Sequence, residues 1–120
     1  MFDDAPVRLT CVFTKAAFGL VLGVEPSASV VPLSPTETLY AEVSTADRTA
    51  TIDIAKGRYD GVVTVATDRS FHVRFHTETG EMSVLSVAIS LALPNPAVLS
   101  EHEPAGPSWA TSQKYGSCKV

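Results

Sequence analysis

The segment from Arg69 to Leu93, RSFHVRFHTETGEMSVLSVAISLAL, constrains the fold more than any other, because it reads as two alternating strands closed by a turn. Phe71, Val73 and Phe75 alternate with His72, Arg74 and His76, the period-2 signature of a half-buried strand. Leu85, Val87, Ile89, Leu91 and Leu93 then alternate with Ser86, Ala88, Ser90 and Ala92. The small second face suits close cover by another layer or subunit, since a solvated strand more usually carries Lys, Glu or Thr there.

The turn sets the register. A two-residue loop at Thr79 and Gly80 would point the richest apolar faces in opposite directions. A three-residue loop of Glu78, Thr79 and Gly80 instead sets Val73 opposite Leu85, Phe71 opposite Val87 and Phe75 opposite Ser83. Gly80 then takes the left-handed position of a bulged hairpin loop, and Gly80→Val should fold poorly. Phe71, Val73, Phe75, Leu85, Val87, Ile89 and Leu91 are expected on one buried side, so that Ile89→Ala costs about 2–5 kcal/mol.

The rest of the chain repeats this grammar. Val7 to Phe13 alternates, Phe18 to Val24 is a short apolar run, and Val30 to Leu33 is interrupted by Pro32, which marks an edge or a bend. Arg48 to Ile54 alternates, and Val62 to Thr67 follows the turn signal AKGRYDG. About seven strands with short connections predict a mainly β chain: an antiparallel sandwich, jelly roll or small barrel. Ser34-Pro35-Thr36-Glu37 carries the capping-box and N1-proline pattern, which predicts one short helix before Thr45.

From Pro94 onward the pattern changes. PNPAVLSEHEPAGPSWATSQKYGSCKV holds four prolines and two glycines and no sustained period. The expected organisation is therefore an antiparallel β domain over residues 1–93 and an irregular, extended C-terminal arm over 94–120. Val98, Leu99, Trp109 and Tyr115 are more apolar than a solvated linker requires, and they are the candidate interface residues of a docking arm. Arg74, between two histidines on a strand, joins them as a polar interface candidate.

Composition bounds the partners. The 120 residues are 45% hydrophobic and only 18% charged, with a net charge of −4, an apolar balance for a free monomer of this size. With no Lys/Arg cluster, direct nucleic-acid binding is not expected. The N-terminus MFDDAPVRL opens with acid where a secretory signal would carry positive charge, and AAFGLVLGV is too short to span a bilayer. A soluble product without membrane contact, cytoplasmic on synthesis, is the expectation. Cys11 and Cys118 would then be reduced thiols, the first a small core residue and the second exposed.

Candidate chemistry fails its spacing tests. His72 and His76 share a strand face at about 13 Å, too far apart to ligate one metal. Glu101, His102 and Glu103 adjoin one another in a proline-bounded segment and read as a hydrated charge cluster. The aspartates show no calcium-loop spacing, and there is no nucleophile elbow, phosphate loop or HExxH. Catalytic residues, metal and cofactor are therefore all expected to be absent. A non-enzymatic structural or assembly protein remains, forming homo-oligomers or a larger protein assembly, a virion capsid or decoration component being its most concrete form. The alternatives are a monomeric small-ligand-binding β module, with Ser86, Ala88, Ser90 and Ala92 lining a cavity, and a small enzyme using His72, Arg74, His76 or His102.

Overall fold

Eight antiparallel strands follow one another around a closed barrel in the computed structural model, each paired with its sequence neighbours and the last with the first. They are β1 (Val7–Leu22), β2 (Glu25–Ser44), β3 (Thr49–Ile54), β4 (Gly57–Ala66), β5 (Ser70–His76), β6 (Met82–Ala88), β7 (Asn95–Ala105) and β8 (Ser108–Lys119). The structure describes residues 6–22, 25–55, 57–67, 69–77, 80–88, 95–105 and 108–120, with side chains described for these except at 18–22, 25–29, 65, 103–105 and 108–111. Ile89, Leu91 and Leu93 thus lie outside the described residues. The barrel selects one of the three expected β architectures and sets aside the sandwich and the jelly roll.

Alternation builds the interior. Leu9, Cys11 and Phe13 of β1, Leu39, Ala41 and Val43 of β2, and Phe71, Val73 and Phe75 of β5 are all buried, while the residues between them turn outward. Eight strands enclose a lumen just wide enough for side chains, and Phe13, Phe71, Phe75, Ile52 and Leu85 fill it. The β5–β6 register is the one that the three-residue loop requires, with Phe71↔Val87, Val73↔Leu85 and Phe75↔Ser83. Gly80 sits at φ +85°, its N–H donating to the Thr77 carbonyl at 3.0 Å.

Three expectations need correction. Residues 34–44 belong to β2, not to a helix: pairing of 37–43 with β1 overrides the capping pattern, whose hydrophobic staple is missing because Thr38 stands where an apolar partner for Leu33 would be needed. The expected irregular arm from Pro94 is two strands of the barrel, because β7 pairs with β6 over residues 97–102 and β8 closes on β1 over residues 109–119. Its alternation was hidden by prolines that sit at Pro96, in the second position of β7, and at Pro104, next to its end.

The third correction concerns the cysteines. Cys118 is fully buried and bonded to Cys11, so neither is a free thiol. They are 107 residues apart in sequence, yet barrel closure makes them facing partners across the β1–β8 seam. Sequence distance alone carried no sign of that adjacency.

Length then gives the molecule its shape. β1 and β2 run well past the barrel, and β7 and β8 follow them, so a four-stranded extension in the order β2-β1-β8-β7 projects from one end. The molecule measures 46 × 28 × 24 Å, with a radius of gyration of 14.8 Å. A compact chain of this length would have about 13.6 Å. Where the extension leaves the barrel, β1 bulges between Phe13 and Lys15, and β2 spends Leu33 to Thr36 opposite Thr14 alone. Pro32 lies at that bend, as the interrupted strand pattern suggested.

Candidate functional site

The inward faces of β2, β7 and β8 are apolar through the barrel and turn polar at the end from which the extension projects. On β8, Cys118 and Gly116 are followed on the same face by Lys114 and Ser112. On β7, Leu99 is followed by Glu101, and on β2, Leu39 is preceded by Glu37. Period-2 alternation therefore delivers one ammonium and two carboxylates to the barrel mouth. Lys114 Nζ lies 2.6 Å from Glu37 Oε2 and 2.6 Å from Glu101 Oε1. Ser112 Oγ donates to Glu101 Oε1 at 3.4 Å. Glu81, at the end of the β5–β6 loop and only 3% exposed, is hydrogen-bonded to Glu101.

Electrostatics follow from this crowding. Burial raises the Glu101 pKa above its ordinary value, and the hydrogen bond with Glu81 adds to the rise, while Lys114 only partly opposes it. Burial pulls Lys114 down, but its hydrogen bonds to Glu101 and Glu37 outweigh that and hold it above the usual lysine range. Among the described residues, two carboxylates thus share the ammonium of Lys114, and Glu101 is also hydrogen-bonded to Glu81.

Beside this cluster opens a cleft of about 920 Å³. Phe13, Leu33, Leu39, Ile54 and Leu99 give it an apolar lining, Glu37, Glu101 and Lys114 form its charged side, and the Leu33–Thr36 excursion of β2 forms its rim. Of the mouth residues, only Glu101, in a charge cluster, and Glu37, at the end of a capping pattern, stood out in the sequence. Alternation could have placed Lys114 on the inward face together with Cys118, but only once β8 was read as a strand.

The expected interface residues scatter. Leu99 is 4% exposed in the barrel core, where it reaches only the floor of the cleft. Val98 and Tyr115 are register partners on the outward face, Tyr115 being 37% exposed with its hydroxyl donating to Gln113 Oε1 at 2.7 Å. Trp109 pairs through its backbone with Val21 and Pro104, and its side chain lies outside the described residues. Arg74 is exposed on β5, across the barrel from β1.

Of the other candidates, His72 Nδ1 is 2.7 Å from Ser86 Oγ on the neighbouring strand, and His76 and His102 are exposed. Among the described residues, no group of three or more His, Cys, Asp or Glu side chains is placed to hold a metal ion. The outward face of β7-β8-β1-β2 has its own character: Val12, Val30, Tyr40 and Tyr115 are exposed on it, with Val30 at 70%. Comparison of the chain with family models, with curated proteins and with solved structures returns no match.

Proposed function

We propose that this chain is a non-enzymatic assembly component, of the kind that builds a virion or another multi-copy particle, and that the outward face of β7-β8-β1-β2 docks on a second copy of itself. The observation that carries this reading is surface area. The accessible surface is 7417 Å², whereas a compact monomer of this mass exposes roughly 6,200 Å². The excess, on the order of 1,200 Å², is comparable to the area one partner contributes to a stable interface, about 800 Å².

The chemistry of that face agrees. Val98, Tyr115, Lys15 and Pro32 form one outward row across the four strands, with Val30 in the next row and Val12 and Tyr40 beyond the bulge. Exposed valine and tyrosine with little charge make a self-complementary patch for a two-fold interface. Edge pairing is disfavoured, because Pro26, Pro32 and Pro35 punctuate the β2 edge that runs beyond β3. Contact through side chains of the face is what remains. A disulfide buried in the seam also fits a working environment that oxidises thiols, such as the surface of a particle.

Sedimentation of the full chain across a wide concentration range tests this. Dimers or larger species are expected, and Tyr115→Glu together with Val30→Glu should return the chain to monomers with an unchanged β spectrum. A chain that is monomeric at every concentration, or an assembly indifferent to both substitutions, would overturn the reading.

A further inference from the structure

We propose that the cleft at the barrel mouth binds a small amphipathic cation, an aliphatic body carrying an ammonium head. Pro32 and Tyr40 border both this cleft and the outward docking face, but the charged side of the cleft, Glu37, Glu101 and Lys114, is not part of that face. Its volume of about 920 Å³ falls within the usual range of small-molecule sites, roughly 300–1,000 Å³. The strand excursion at Leu33–Thr36 gives the cleft a wall that a regular β1–β2 ladder would lack.

The apolar lining selects the body of the ligand, since Phe13, Leu33, Leu39, Ile54 and Leu99 offer no charge to satisfy. The charged side selects its head. Lys114 is already held by carboxylates on two sides, so an anion would have to displace one of them and then lie against the rest. An ammonium meets the opposite situation. Glu37 stands at the rim with its side chain 47% exposed, and among the described residues it shares the single ammonium of Lys114 with Glu101. A cation seated against Glu37 would bring the mouth closer to neutrality while its tail covers the apolar lining.

The test is calorimetric titration of the full chain with decyltrimethylammonium and decanoate, each below its micelle concentration, and with decanol below its solubility limit. One decyltrimethylammonium per chain is expected, at least about tenfold tighter than decanoate or decanol. Glu37→Gln should weaken the cation about fivefold or more, whereas Glu42→Gln should not. Glu42 pairs with Arg8 on the outside of the barrel, so its substitution alters net charge equally but leaves the cleft intact. Equal losses from the two variants would reveal only diffuse attraction to an acidic protein, and decanoate binding as tightly as the cation would make this an anion site on Lys114. Either result, or no saturable binding of the cation, overturns the proposal.

Discussion

At the scale of single residues, the barrel mouth depends on Lys114 as the counter-ion of buried acid. Replacing Lys114 with Met leaves Glu101 and Glu81 in mutual contact without it, and should cost roughly 3 kcal/mol, the low end for a buried pair broken on one side because the lysine keeps 16% exposure. Denaturant midpoints at neutral pH would measure this. Glu101 also gives stability a pH dependence of known sign. It holds its proton more tightly in the folded chain, so above its ordinary value of 4.5 the native state binds more protons and stability falls as pH rises, until Glu101 is ionised in both states. Unfolding curves from pH 4 to pH 8 should show that decline, and Glu101→Gln should flatten it. The raised Lys114 acts at the other extreme: its contribution is complete below about 10.5 and is lost as pH rises through its folded value. Gly116 is constrained by space instead. A Cβ there would collide with the backbone of Val12 and Phe13, where the β1 bulge presses against β8. Gly116→Ala should therefore open the seam and lower the melting temperature, whereas Gly80→Val, expected from sequence to fold poorly, meets open space and should cost the left-handed backbone penalty of about 1–2 kcal/mol, leaving the barrel folded. Equal melting temperatures for these two variants would contradict this assignment.

Among the elements, legibility tracked the strength of alternation. The β5–β6 hairpin could be read to the residue, because Phe71, Val73 and Phe75 have no polar interruption and Gly80 allows only one loop that keeps the faces aligned. β1 was read as two runs, since the bulge at Phe13/Lys15 shifts the alternation between them and only the ladder to β2 and β8 joins them. Local chemistry misled at Ser34-Pro35-Thr36-Glu37, where a helix-start pattern marks a strand excursion between the Phe13–Glu37 pair of the barrel and the Lys15–Pro32 pair of the extension. β7 and β8 escaped because their apolar positions are sparse: Ala97, Leu99 and Cys118 are buried, but Gly116, Lys114 and Ser112 occupy the remaining inward positions of β8. The mouth was illegible for the same reason, as its charged cluster draws on β2, β7, β8 and the loop before β6. Deleting residues 94–120 tests the status of these strands. It removes two of eight staves and the partner of Cys11, so circular dichroism should show a chain that fails to form the barrel; a truncated chain with the full β spectrum would restore the arm as a separate unit.

For the whole molecule, closure is the step that everything else depends on, and it is long-range. Every other neighbouring pair in the barrel is joined by a short connection, but β1 and β8 meet only after the whole chain has been laid down. Such a contact carries the largest loop-closure cost and forms slowly. The disulfide bears on that cost. Tying residues 107 apart removes conformations from the unfolded chain, and for a loop of that size the entropic estimate is about 4–5 kcal/mol. It adds little that the native seam lacks, since β1 and β8 are register partners from Thr10 to Val21 without it. Exchanging both cysteines for alanine should therefore leave the β spectrum unchanged at low temperature and lower the unfolding free energy by about 3–5 kcal/mol. The loss should appear mainly as slower folding, because the link acts on the unfolded ensemble and bringing β1 to β8 is the closure step with the largest entropic cost. Stopped-flow refolding of the oxidised chain and of the Cys11→Ala/Cys118→Ala variant separates the two rates. A variant that refolds as fast as the oxidised chain and only unfolds faster would mean that the bond works by holding the finished seam shut.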